Sequence, residues 1–202
     1  MIINAQEVLD LHETTVTAWH DVPIANNYEG ILHLICEQHT FNFKLWHEED
    51  IARSRDVTDE RIAIVKRNID GFNQKRNDHI EKVDDWITGW LHEHKVSSEP
   101  SARINSETPG SIIDRLSIMS LRIYHMLEQL ERTDVDQEHL DRVNAKLATC
   151  YEQRKDLSNS LTELLEDIQA GVKQHKTYRQ FKMYNDPTLN PYLYSKQLKK
   201  AG

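Results

Sequence analysis

Ile62-Ala63-Ile64-Val65-Lys66-Arg67-Asn68-Ile69-Asp70-Gly71-Phe72-Asn73-Gln74-Lys75-Arg76-Asn77-Asp78-His79-Ile80-Glu81-Lys82-Val83-Asp84-Asp85-Trp86-Ile87 is the stretch that settles the fold class. Ile62, Val65, Ile69, Phe72, Arg76, Ile80, Val83 and Ile87 recur every three or four residues, the spacing of one face of an α-helix, and Arg76 alone interrupts the apolar run. A helix of about 30 residues at 1.5 Å per residue spans about 45 Å. Asp56 or Thr58 can cap its start. Gly71 inside it points to a kink or a close helix contact. No proline falls among residues 24–99, between Pro23 and Pro100, so long helices are permitted.

Other segments repeat the pattern. Ala5, Leu9, His12, Val16 and Trp19 form a stripe on a first helix from about Asn4 to His20. A second, about Tyr28 to Arg53, carries Ile31, Ile35, Phe43, Trp46 and Ile51. Thr108-Pro109 supplies a cap and a first-turn proline for a fourth helix ending near Arg132, with Ile112, Leu116, Met119, Ile123, Met126 and Leu130 inward. A fifth, about Asp136 to Gly171, repeats Leu140, Val143, Leu147, Cys150, Arg154, Leu157, Leu161, Leu164 and Ile168. Residues 96–107 lack a period and read as a loop, and the proline-containing tail from Phe181 to Tyr192 reads as irregular. No segment alternates as a strand does. The expectation is one all-α domain over residues 1–202, an antiparallel helical bundle of about five main helices, with loop 96–109 between two helical halves. The long third and fifth helices are expected to pack together.

Composition bounds the class. The 202 residues include 6 Gly, 5 Pro and 2 Cys, which excludes collagen-like, low-complexity and disulfide-scaffold chains. Cys36 and Cys150 match no paired metal or redox spacing. The net charge of −8 gives no general attraction for nucleic acid, so none is expected as a partner. MIINAQEVLDLHE lacks the basic and apolar regions of a signal peptide, and no run has the length of a membrane span. A soluble, cytoplasmic protein is expected.

Beside the apolar face of the third helix, Lys66, Asp70, Asn73, Asn77, Glu81 and Asp84 form a second stripe, with Arg67 and Arg76 near it. Such boundary positions are half-buried, where polar groups need partners. Asp70, Glu81 and Asp84 suit a divalent metal or proton transfer, and Asn73 and Asn77 suit oriented hydrogen bonds. The competing reading is a solvated face with i,i+4 pairs such as Lys66–Asp70. On the second helix His47 and Asp50 are i,i+3 neighbours, as are Glu49 and Arg53 at i,i+4. An imidazole oriented by a carboxylate can act as a ligand or a general base. His39 lies two turns earlier and could line the same groove. At the start of the fourth helix, free amides with Asp114-Arg115 one turn on could hold a phosphate, although capping by Thr108 explains the same residues. Arg122 and His125 share the face of Arg115.

No ferritin-like, zincin, phosphate-loop or nucleophile-elbow motif is present. Glu81-x-x-Asp84 matches half of the carboxylate set of helical nucleotide pyrophosphatases, but Glu48-Glu49-Asp50 lacks the spacing of the other half.

Four blocks resemble the bacterial domain-of-unknown-function 4254 family: Asn42-Phe43-x-Leu45-Trp46-His47-x-Glu49-Asp50-x-Ala52-Arg53; Lys66-Arg67-x-Ile69-Asp70-x-x-Asn73-Gln74-x-Arg76-Asn77-Asp78; Glu107-Thr108-Pro109-Gly110-Ser111-x-x-Asp114-Arg115-Leu116-Ser117-Ile118; and Lys182-Met183-Tyr184-Asn185-Asp186-Pro187. The resemblance implies a cytoplasmic, largely helical bacterial protein without an established activity, associated with glycosyltransferases of envelope-glycan synthesis.

The combined expectation is a polar pocket where the second, third and fourth helices meet. His47, Asp50 and Asp70 would be its catalytic groups. Arg53, Lys66, Arg67, Asn73, Asn77, Asp114 and Arg115 would hold a small anionic ligand such as a sugar or nucleotide phosphate. If a divalent metal takes part, His47, Asp50, Glu81 and Asp84 are the candidates. The alternatives are a non-catalytic homodimeric scaffold built on the seams of the third and fifth helices, and a metal-dependent phosphohydrolase-like enzyme.

Overall fold

The computed structural model describes residues 2–181, 183 and 186–198. The chain folds as an all-α helical bundle: α1 (Ala5–Asp21), α2 (Gly30–Arg53), α3 (Asp59–Glu93), α4 (Pro109–Leu130), α5 (Gln137–Gln169) and a short α6 (Pro191–Leu198). Two-residue strands β1 (Arg103–Ile104) and β2 (Lys173–Gln174) pair in parallel. Side chains cap five of the helices, α6 among them, where Asn190 accepts from the Tyr192 amide at 2.9 Å. Asn4 accepts from the Gln6 amide at 2.9 Å, Thr58 from Arg61 at 3.3 Å, Thr108 from Ser111 at 3.2 Å and Asp136 from His139 at 2.8 Å. Among the described residues, no helix is long and apolar enough to cross a membrane.

Short connections fold α2 onto α3 and α4 onto α5 as antiparallel hairpins, and α1 lies against α4, α2 and α5. The expected partnership of α3 with α5 is not what forms: each packs mainly on its sequence neighbour, because a short loop leaves no freer choice. The central core joins Val8 and Leu11 of α1, Ile35 of α2, Ile87 of α3, Leu116 of α4 and Leu161 of α5. Smaller clusters close the ends, with Leu45, Val65 and Ile69 between α2 and α3, and Met119, Ile123, Leu147 and Cys150 between α4 and α5. Of the seams proposed for a homodimer, Val65, Ile69, Val83 and Ile87 of α3 and Val143, Leu147, Cys150, Leu161, Leu164 and Ile168 of α5 are buried within the chain, while Ile62, Phe72, Ile80, Leu140 and Leu157 are half-buried.

The segment after α5 straps back across α3. Gly171, at φ +77, turns the chain where a Cβ would lie 2.6 Å from the Ser97 carbonyl oxygen. β2 then pairs with β1 in the loop read as structureless, a register set by two crossing segments rather than by local alternation. His175 Nε2 bonds the Asp84 carbonyl at 2.8 Å, and Arg179 bonds Asp85 and Glu81. The tail expected to be irregular contains turns at residues 187–189 before α6 begins at Pro191. Lys182, Tyr184 and Asn185 of the fourth family block lie outside the described residues.

Gly110 brings the start of α4 against α3. A Cβ there would sit 2.6 Å from the Ile80 carbonyl oxygen and 2.9 Å from Asp84 Oδ1. Gly71, read from sequence as a kink or a close helix contact, is exposed, and a Cβ there would meet nothing within 4 Å. Gly110→Ala is therefore expected to destabilise the protein by about 1–3 kcal/mol, since a backbone carbonyl cannot move aside. Gly71→Ala should stabilise it by up to about 1 kcal/mol. Urea denaturation of the two variants checks both, and a neutral Gly110→Ala would refute the close approach.

Candidate functional site

Asp114, one turn into α4, is 4% exposed and collects donors from two other helices. Arg76 of α3 grips it with both ends of its guanidinium fork, Nε at 2.7 Å on one oxygen and Nη2 on the other. From α2, Asn42 Nδ2 donates to Asp114 at 3.0 Å, and Gln38 Nε2 donates to the same oxygen. One turn further along α4, Ser117 Oγ accepts from Asn42 at 2.8 Å and lies 2.7 Å from His39 Nδ1. Gln38 and Asn42 are i,i+4 on one face of α2, and Asp114 and Ser117 are i,i+3 on α4, so two helical faces meet polar side to polar side. The charged break in the α3 seam is thus answered from α4.

This network floors a cavity of about 380 Å³ between α2, α3 and α4. Leu45, Trp46, Ile118 and Leu121 form its apolar wall, and Asn42 and Asn73 present amides. Glu49, Asp50, Arg53 and Arg76 supply the charge. Arg53 is paired with Glu49 at 3.0 Å. Arg76 Nη1 has no hydrogen-bond partner among the described residues. An aromatic wall, amides and a fixed guanidinium can receive a small molecule carrying hydroxyls and an anionic group.

Of the residues singled out in the sequence, Asp50, Arg53 and Asn73 line this cavity, and Asp114 lies behind it under Arg76. Asp114 accepts four hydrogen bonds, three on Oδ1 and one on Oδ2, and its buried carboxylate holds Arg76 in place. The other expected residues are not brought there. Asp70 is exposed and paired with Lys66 at 2.5 Å, the solvated i,i+4 arrangement. Arg67 is exposed, and Asn77 is half-buried outside the cavity lining. Arg115 is exposed and bonded to Glu107 at 2.8 Å, on the wall of a second cavity of about 540 Å³ between α4 and α5. No comparable buried polar network stands behind that wall among the described residues.

The metal candidates also separate. Glu81 accepts from Arg179 at 3.1 Å and from the Gln180 amide at 2.8 Å. Asp84 accepts the Gly110 amide at 2.8 Å and bonds Thr108, so the carboxylate at the α4 N-terminus is the chain's own. Burial raises the Asp84 pKa, against these hydrogen bonds and His175. His47 faces away from the cavity, towards His20 of α1 and His125 of α4, with ring centroids 5.2 and 5.9 Å away. Burial first, and then those two rings, hold its pKa below the ordinary imidazole value.

His39, expected in the groove, is wholly buried behind Ser117. Its ring lies 4.6 Å from that of His12 and 5.2 Å from that of Trp19. Sequence reading missed Gln38, Asn42 as a donor, and Ser117 as parts of the floor. Asn42 and Ser117 stand in two of the blocks that resemble the family, and the further signal in the sequence is polar residues recurring at i,i+4 and i,i+3 on these helices.

No curated protein and no solved structure gives a significant match to this chain. The family model described as "Protein of unknown function (DUF4254)" matches residues 32–177, a span that holds all but the first two residues of α2, the whole of α3, α4 and α5, and every residue lining the cavity. The chain belongs to the DUF4254 family.

Proposed function

We propose that this protein binds a small, hydroxyl-rich anionic ligand, of the sugar-phosphate or nucleotide-phosphate class, in the cavity between α2, α3 and α4. The observation that carries the reading is Arg76. Its fork is locked on buried Asp114, so the guanidinium is oriented before a ligand arrives and Nη1 is left to donate. Asn42 and Asn73 suit hydroxyls, Trp46 offers a ring face, and Arg53 adds charge at an exposed position. The proposal extends to a role in bacterial envelope-glycan metabolism in the cytoplasm, as the family resemblance implies. Asp50 is the carboxylate available for proton transfer should binding lead to reaction.

A thermal-shift screen of sugar phosphates and nucleotide sugars tests it. A ligand at 100 times its dissociation constant adds about 2.7 kcal/mol of stability. Arg53→Ala and Asn73→Ala, which leave the Asp114 network intact, should each weaken binding about tenfold or more, the loss expected for a charge-assisted or buried hydrogen bond. A screen without a shift, or a shift that survives both substitutions together, refutes the reading.

A further inference from the structure

His20 closes the last turn of α1, His47 lies near the end of α2, and His125 lies in the second half of α4. Far apart in sequence, the three rings meet with centroids 5.2, 5.2 and 5.9 Å apart and planes 74, 77 and 85° to one another. Each offers a ring nitrogen, and these nitrogens lie within 4.8 Å of one another. Among the described residues this is the one group of three or more His, Cys, Asp or Glu side chains so placed.

The rings are also oriented from behind. His20 Nδ1 lies 2.6 Å from the Val16 carbonyl, which fixes the proton on Nδ1 and the lone pair on Nε2. His125 Nδ1 is 2.6 Å from the Glu128 carboxylate, with the same consequence. Nε2 of both rings is buried without a hydrogen-bond partner among the described residues. A carbonyl or carboxylate behind Nδ1, with Nε2 free, is the usual outer shell of a metal-bound histidine. Packing holds the planes. His20 stacks on Tyr124 at 4.1 Å, His125 stacks on Trp46 at 4.8 Å, and His47 meets the edge of Phe43 at 4.4 Å.

We propose that His20, His47 and His125 form a three-imidazole site for a divalent late transition-metal ion, of which zinc is the representative. Neutral imidazoles favour zinc, cobalt, nickel and copper over magnesium and calcium, which prefer oxygen ligands. Zn–N bonds of about 2.0–2.1 Å in tetrahedral geometry set the nitrogens about 3.4 Å apart. The rings reach this by small side-chain rotations within a triad already assembled. Three protein ligands leave a fourth position for water or an exogenous group. Trp46 lies between the two regions, stacked on His125 and lining the cavity between α2, α3 and α4.

The test is a zinc titration of the full chain, stripped with a chelator and read by competition with a chromophoric chelator, alongside the visible spectrum of the cobalt form. Wild type should bind one ion per chain with a sub-micromolar dissociation constant, and its cobalt form should absorb as a four-coordinate ion. His47→Phe, which retains a ring against Phe43, should weaken binding at least about 100-fold, and Glu128→Gln about tenfold, the range for an outer-shell partner. Circular dichroism verifies folding. If His47→Phe does not fold, Glu128→Gln decides: weakened binding supports the site and unchanged binding overturns it. No binding by wild type, binding that survives His47→Phe, or binding abolished by His92→Ala with His94→Ala at the end of α3 also overturns it.

Discussion

Taking this protein from pH 7 to about pH 4.5 is expected to unfold it cooperatively, because two histidines must remain neutral in the folded core. His12 and His39 are wholly buried, and their rings are in contact. Burial lowers the His12 pKa from 6.5 to about 3. Burial and the adjoining His12 push His39 well below its ordinary value. In the unfolded chain both titrate near 6.5, so below that pH the unfolded state binds protons that the folded state cannot take. Stability is therefore intact above about pH 6.5 and falls as the solution is acidified. Each histidine shifts the folding equilibrium by about tenfold per pH unit, so two units below 6.5 cost the pair about 10⁴. That is comparable to the whole folding constant of many small domains, about 10³–10⁸. The lowered pKa of His47 acts in the same direction, while Asp84, with a raised pKa, acts in the opposite one. His12→Leu should flatten the pH profile by about one order of magnitude per unit. It should also raise stability at pH 7, because it removes two buried ring nitrogens that have no partner among the described residues. Thermal melts between pH 7 and 4.5 measure this, and a melting temperature constant over that range would refute it.

Asp114→Ala is expected to cost about 3–5 kcal/mol, the range for removing one partner of a buried ion pair. The loss is large because Arg76, Asn42 and Gln38 would all keep donors aimed at an acceptor no longer there. Against a total stability of about 5–15 kcal/mol, such a variant is close to unfolding at 37 °C. Asp114→Asn should be nearly as harmful, since an amide brings two more donors into a site already crowded with them. Arg76→Lys also fails to conserve the interaction, because an ammonium cannot bridge both carboxylate oxygens in plane. Arg76→Met combined with Asp114→Ala should recover part of the loss by removing the stranded guanidinium. A double-mutant cycle from urea denaturation should give a coupling of about 1–3 kcal/mol, and strict additivity of the two single changes would show that the pair does not interact. Because Arg53→Ala and Asn73→Ala leave this network alone, a loss of ligand binding in them can be separated from a loss of fold.

Helix content and boundaries were legible in the residues. The stripes place α1, α2, α4 and α5 within about two residues of their observed ends, whereas α3 runs on past Ile87, the last residue of its stripe, to Glu93; a three- or four-residue repeat is a property of one helix and needs no knowledge of its neighbours. The buried face of α2 was harder to read than its ends. Gln38, His39 and Asn42 are as buried as Ile35 and Cys36, because α1, α3 and α4 all pack on this helix. A helix enclosed by three others loses the polar face by which its core side is recognised.

The site was legible only in part, for the same physical reason. Asp50, Arg53 and Asn73 could be singled out as polar groups at boundary positions, but so could Asp70, Asn77 and Glu81 by the same argument. Apart from the charged break at Arg76, nothing along α3 distinguishes the turn that faces α4 from the turn that faces water. By itself, the sequence determined an all-α bundle, the caps of α3 and α4, and the residues able to carry charge next to the core. Only the tertiary structure decided that Arg76 meets Asp114, 38 residues away, and that His20, His47 and His125 converge from three helices. Those choices depend on how each helix is rotated and which neighbours it packs against. Rotation and partner are set by side-chain interlocking summed over the whole core, a quantity that no single stretch of chain contains.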